Sequence, residues 1–316
     1  MMKLQTPVIC AVGPTASGKS DLGQLIASEI GGEVVSADSM QIYRGMDIGT
    51  GKIPVEERIV PHHGLDLVDP GEPYSAALFQ PYARRCFKDI DMRGCRSVLV
   101  GGTGLYVRAA IDDYDFPKGE QVDNPVRDRY MRYAEDHGAD ALWRLLDEKD
   151  PASAAVIHPN NVRRVVRAFE LLEEGGSYAE QKEALQHIPA FVPAVQIGLQ
   201  VDPEKLKARI GQRVDKMVED GLVREVEGLL DAGFREGVTA PQAIGYKEIV
   251  AALEGECTLD DAIQSIKAST RRYAKRQRTW FRKDKRIHWV NADEGPAAAL
   301  DEALDIIRRY GDLPSR

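Results

Sequence analysis

The segment Val8-Ile9-Cys10-Ala11-Val12-Gly13-Pro14-Thr15-Ala16-Ser17-Gly18-Lys19-Ser20 constrains this chain more than any other part of it. A short apolar run leads directly into G-x-x-x-x-G-K-S, and a helical pattern follows. Strand, glycine-flanked turn and helix N-terminus in that order make a phosphate-binding loop. Backbone N–H groups of the turn and the positive end of the helix form an anion cradle. Gly13, Pro14, Thr15, Ala16, Ser17 and Gly18 are expected to wrap the phosphate. Lys19 is expected to reach its outer oxygens, and the Ser20 hydroxyl to hold Mg²⁺. The loop alone leaves open whether the phosphate belongs to a nucleotide.

Further apolar, β-branched runs recur at 33–36, 97–100, 195–201 and 287–290, and helical patterns separate most of them. That alternation predicts an α/β fold: a P-loop NTPase-like parallel sheet with helices on both faces. Between 116 and 193 no strand pattern appears. Val162, Val165, Val166, Phe169 and Leu172 instead share one face at helical spacing. Pro117, Pro125, Pro189 and Pro193 punctuate the edges of this stretch. The expected organisation is therefore a core from 1–115 and 194–316 carrying an all-helical insertion at 116–193.

Four scattered cysteines without a C-x-x-C pair read as free thiols in a reducing cytoplasm. No apolar run approaches the length of a membrane span, so no membrane partner is expected. A net charge of −8 argues, on its own, against nucleic acid. Its distribution argues otherwise. RRYAKRQRTWFRKDKR, from Arg271 to Arg286, sets nine basic residues against the single acid Asp284, a local +8 that leaves −16 for the remainder. A basic stripe on an acidic body is an electrostatic footprint for phosphate backbone. Ile263, Ile266, Thr270, Tyr273, Gln277 and Trp280 form the expected packed stripe of this helix. Arg271, Lys275, Arg278 and Arg282 lie along another face.

In open parallel sheets, ligands sit outside the carboxyl ends of the strands. Three strand ends carry chemistry here: Gly13–Ser20, Ala37-Asp38-Ser39 and Gly101-Gly102-Thr103-Gly104. Two readings stand for Asp38, an acid that binds Mg²⁺ indirectly and a general base. The Gly101–Gly104 segment reads as a tight turn, with Thr103 a candidate donor. Arg209 and Arg213 share a helix face, either solvated or as a diphosphate clamp. His62 and His63 have no Cys, Asp or Glu cluster beside them, so a structural role is expected and no metal is assigned to them.

These segments resemble the tRNA dimethylallyltransferase (tRNA isopentenyltransferase) family. GPTASGKS is similar to that family's version of the loop. DSMQIYRGMDIGTGK (Asp38 to Lys52), GGTGLY (Gly101 to Tyr106), QAIGYKE (Gln242 to Glu248) and TRRYAKRQRTWFR (Thr270 to Arg282) look like four more of its signatures, in its order. HPNNVRRVVRAFE (His158 to Glu170) is similar to a weaker one. Gly51 departs from the Ala common in the family, and the segment around Gly175-Gly176 lacks the usual Lys.

The resemblance implies transfer of the dimethylallyl group of dimethylallyl diphosphate to N6 of the adenosine just 3′ of the anticodon. It implies Asp38 as the base, with Thr103, Arg213 and Lys19 stabilising the departing diphosphate and Mg²⁺ at Ser20. It implies tRNA contacts at Asp38, Ser39, Met40, Gln41 and Thr103, and at Arg127, Asn160, Asn161, Val162, Arg163 and Arg164. It extends those contacts to Gln242, Ala243, Ile244, Gly245, Tyr246 and Lys247, and to the basic helix. A cytoplasmic monomer acting on the anticodon stem-loop is expected. The alternatives are a prenyltransferase of free adenine nucleotides, a P-loop small-molecule kinase and a nucleic-acid-binding ATPase.

Overall fold

The structure, a computed structural model, describes residues 2–116, 124–185 and 188–311. Pro117, expected at an edge of the insertion, lies outside them. In chain order the elements are β1 (Val8–Val12), α1 (Lys19–Ile30), β2 (Gly32–Ser36), β3 (His62–His63), α2 (Ala76–Met92), β4 (Arg96–Gly101), α3 (Gly104–Ile111), α4 (Pro125–His137), α5 (Ala139–Lys149), α6 (Pro151–Ala155), α7 (Val162–Glu173), α8 (Tyr178–Ala184), β5 (Ala194–Gln200), α9 (Pro203–Glu219), α10 (Leu222–Asp231), α11 (Tyr246–Leu253), α12 (Leu259–Phe281), β6 (Ile287–Asn291) and α13 (Leu300–Tyr310).

The described strands form one sheet in the order β3-β2-β4-β1-β5-β6, every pair parallel. All five residues of β1 are buried, as a central strand covered on both faces requires. Ile9, Ala11, Val98 and Ile197 meet Leu22 and Ile26 of α1 and Leu304 and Ile307 of α13 on one face. Cys10, Leu99 and Val35 point the other way and are equally buried. Helix α2 packs on β2 and β4. This is the P-loop NTPase-like sheet, with helices on both faces.

The edge strand β3 carried no sequence signal, because it is only His62-His63. Its registry with Val34 and Val35 is backed by side chains. His63 Nε2 lies 2.6 Å from Glu33 Oε2, and Arg93 bonds the same carboxylate. No metal-holding cluster occurs among the described residues, and none of their helices is long and apolar enough to cross a membrane.

The chain divides into two compact units, residues 1–112 with 190–316, and Asp113–Pro189. The described part of the second unit consists of α4 to α8. Its core gathers Tyr130, Leu142, Leu146, Val165, Val166 and Phe169, with the Tyr130 and Phe169 rings stacked at 3.9 Å. Side-chain caps start three of its helices: Asn124 before Pro125 in α4, Asp150 before α6, and Asn161 before α7.

Candidate active site

The phosphate loop joins β1 to α1 through Gly18, whose φ of 86° at the helix N-cap suits a residue without Cβ. Lys19 follows it and is buried, its Nζ lying 3.4 Å from Pro14 O. Burial pushes the Lys19 ammonium down to about 8, with Asp38 and Asp21 supporting its charge and Arg213 opposing it. Ser17 Oγ is buried without a hydrogen-bond partner among the described residues. An orphaned hydroxyl inside an anion cradle is a polar group awaiting a partner.

Asp38 stands at the end of β2, where Ala37 still bonds Val100 of β4. Its Oδ1 accepts from Met40 N at 3.0 Å, an Asx turn that fixes the carboxylate. A cleft of about 550 Å³, open to solvent, brings Lys19, Ser20, Asp38, Gln41 and Arg213 together with Thr15, Thr50, Gly51 and Gly101. Arg213 comes from α9, far along the chain. Burial lowers its pKa, and Asp38 and Asp21 support its charge. Arg213 Nη2 donates to Thr50 O at 3.2 Å, and Gln41 Nε2 to Gly51 O at 3.3 Å. A Cβ built on Gly51 would collide with the Arg213 guanidinium, so this placement of Arg213 depends on the glycine. Arg209, which shares the face, instead bonds the carbonyls of Ala292 and Asp293 and is structural.

Thr103 sits beside the cleft-lining set, not within it. Its Oγ1 accepts from Ser39 N at 3.1 Å and donates to Ser39 Oγ at 3.3 Å. Tyr273 of α12 is half-buried. Burial pushes the Tyr273 phenol up to about 12, so it remains a donor at neutral pH.

The basic helix differs from expectation in one respect. Its buried face is Ala262, Ile266, Ser269, Ala274, Gln277 and Phe281. Trp280, expected in the packed stripe, is 42% exposed. The stripe drifts because steps of three and four do not track an α-helix indefinitely. Arg271, Lys275 and Arg282 are exposed and Arg278 is half-buried.

The 242–247 run presents its residues unevenly to solvent. Gln242 and Lys247 are exposed and Ile244 half-buried, but Ala243, Gly245 and Tyr246 are buried. Tyr246 is wholly enclosed, and its hydroxyl donates to Glu225 Oε1 at 2.6 Å. The same carboxylate accepts from the N–H groups of Asp47, Ile48 and Gly49 at 3.1, 2.7 and 3.2 Å. Glu225 therefore ties α10 and α11 to the loop that seats Arg213 and Gln41, a role without a signal in the chain itself. Replacing Glu225 with Ala removes the acceptor of four donors and is expected to cost roughly 3 kcal/mol in urea unfolding, Gln costing less. Equal stability of the Ala variant and the parent would exclude this anchoring role.

In the second unit, Asn160, Arg163 and Arg164 are exposed at the start of α7, Asn161 caps it, and Val162 packs partly into the core. Arg127 Nε bonds Glu170 Oε1 at 2.7 Å, and Arg167 Nη1 the other oxygen at 2.5 Å. Burial alone would raise the Glu170 pKa, but these two bonds outweigh it and hold the carboxyl below its usual range.

A family model described as IPP transferase matches residues 41–284. The phosphate loop and Asp38 precede that match, yet longer alignments include them. A tRNA dimethylallyltransferase of Carboxydothermus hydrogenoformans is 47% identical over 301 residues, 94% of this chain and 96% of the relative. One of Desulforudis audaxviator is 43% identical over 98% of this chain and its own full length. Among solved structures, a tRNA delta(2)-isopentenylpyrophosphate transferase of Staphylococcus epidermidis superposes with TM-score 0.70 at 37% identity, covering 96% of this chain and 99% of that one. A eukaryotic dimethylallyltransferase acting on tRNA gives 0.75 at 28% identity, covering 96% of this chain and 78% of that one. The chain belongs to the IPP transferase family and is, with these relatives, an enzyme that transfers an alkyl group.

Proposed function

We propose that this chain transfers the dimethylallyl group of dimethylallyl diphosphate to N6 of the adenosine 3′-adjacent to the anticodon of tRNA. The observation that carries this reading is the cleft in which buried Lys19 and half-buried Arg213 share space with the carboxylate of Asp38. The cations meet the negative charge that collects on the departing diphosphate. Asp38 accepts a proton from the adenine amine as N6 bonds to the allylic C1 and the C1–O bond breaks. An exocyclic amine is a weak nucleophile, so holding it in line with the leaving group supplies much of the rate.

Gly13 to Ser20 wrap the diphosphate, and the orphaned Ser17 hydroxyl supports an anion there. The Ser20 hydroxyl, which lines the cleft, is an oxygen donor of the kind a Mg²⁺ ion prefers. When bound, the ion would neutralise diphosphate charge. The target base stacks in the anticodon loop and must flip out to reach the cleft. Ser39, Met40 and Gln41 flank Asp38 and meet the flipped base, and Thr103 steadies Ser39. Arg127 and 160–164 in the helical unit, Gln242 and Lys247, and Arg271, Lys275, Arg278 and Arg282 take the RNA backbone. All these groups come from one chain, which supports action as a monomer, in the cytoplasm where tRNA resides.

Mass spectrometry of unmodified tRNA after incubation with the protein, Mg²⁺ and dimethylallyl diphosphate tests the reading. A dimethylallyl mass gain on that adenosine without ATP is the expected result. Gain on free AMP instead would move the activity to nucleotide prenylation, and consumption of ATP alone would make it a kinase or an ATPase.

The lowered Lys19 pKa gives a pH signature. Below about 8 the ammonium is charged and binds the diphosphate fully. As pH rises past that value its charge must be restored on binding, and the donor KM is expected to climb by up to about tenfold per unit. A Lys19→Met control should show no such slope; a flat profile in the parent enzyme would refute the assignment.

A further inference from the structure

The buried face of α12 is built of small and apolar residues with one conspicuous polar member, Gln277, which is 5% exposed. Its Oε1 accepts from Thr15 N at 2.8 Å, and its Nε2 donates to Gly102 O at 2.9 Å. The two partners belong to different strand-end turns. Thr15 lies in the phosphate loop after β1, and Gly102 in the glycine turn after β4. Thr15 and Gly101 both line the cleft. A Cβ on Gly102 would collide with the Gln277 amide nitrogen, so the glycine turn is shaped around this side chain. One turn earlier on the helix lies Tyr273, half-buried on the same side.

The carboxamide is the one side chain of this size that offers a donor and an acceptor at this spacing. Glutamate offers acceptors only, and methionine fills the volume with neither. We infer that Gln277 is a positioning residue for diphosphate binding: from the basic helix, it locks the first turn of the phosphate loop to the glycine turn after β4. Its bond to Thr15 removes that N–H from the set available to phosphate oxygens and fixes the direction of the rest. This rests on the reading of the cleft as a diphosphate site.

The test compares Gln277→Met and Gln277→Glu with the parent enzyme. Both variants are expected to raise the KM for dimethylallyl diphosphate by about tenfold or more, against a smaller change in kcat at saturating donor. Gln277→Glu should be the worse, since its carboxylate faces a carbonyl and adds negative charge beside the anion. Binding of an anticodon stem-loop RNA measured alone should stay within about twofold of the parent, because the outward arginines are untouched. Inorganic diphosphate with Mg²⁺ should raise the thermal midpoint of the parent and do so much less for either variant. Donor KM and diphosphate protection equal to the parent's in both variants would overturn the proposal. So would loss of folding in both, which would make Gln277 a scaffold residue. If the parent fails to prenylate tRNA, the activity reading falls, while diphosphate protection still decides the role of Gln277.

Discussion

Asp38→Asn is expected to slow prenyl transfer in a single turnover by about 10³-fold, within the range that removal of a general base produces. The substitution is informative because it spares the geometry. Asparagine keeps an oxygen for the Met40 N–H, so the Asx turn survives. What it loses is the charge and the basicity. The donor KM should change little or fall, since a carboxylate near the diphosphate is repulsive. Asp38 also supports the charge of Lys19, so the rise of donor KM with pH should begin at lower pH in the variant. A variant that transfers within tenfold of the parent would remove Asp38 from the proton step.

Lys19→Met is expected to lower kcat/KM for the donor by about 10²- to 10³-fold, the scale of losing one preorganised contact to a developing anion. Burial magnifies the effect, because the cost of desolvating the diphosphate is no longer offset by this charge. Lys19→Arg should rescue poorly. The Lys19 side chain is buried, and a planar guanidinium does not fit the volume of an ammonium. Steady-state kinetics with varied donor at saturating tRNA gives the number. An unaffected kcat/KM would place the diphosphate elsewhere, and RNA affinity should not move.

The parts of this molecule that recur locally were legible in the chain. The loop from Gly13 to Ser20, the strands that follow the apolar runs and the helical face of Val165, Val166 and Phe169 all announce themselves within a few residues. The rule about strand ends predicts that Lys19, Asp38 and Thr103 meet in one crevice; Lys19 and Asp38 line it, and Thr103 sits beside it. Three things were not legible, each for a physical reason. β3 is two residues long and is specified by Glu33 and Arg93, which lie elsewhere in the sequence. Tyr246 sits in a motif that reads as RNA-facing, but a hydroxyl can serve an internal carboxylate, and Glu225 is 21 positions away. Gln277 did leave a trace, as the one carboxamide in the stripe read as packed. A polar residue at a buried helical position signals a partner, although nothing in the sequence says that the partners are Thr15 and Gly102.

The sheet order carries a consequence for how the chain is made. β1 is flanked by β4 and β5, and the entire Asp113–Pro189 unit is synthesised between those two partners. The detour leaves and returns at one place, where Asp112 and Ala190 form an antiparallel bridge. Its contacts are local, so it can condense early while the sheet waits. A nascent chain that has not yet exposed Ala194 therefore holds β1 with one edge unpaired. That edge is an apolar, β-branched strand of the kind that recruits other chains. The interval between the two partners, set by the time needed to translate the helical unit, is when that edge of β1 stands open.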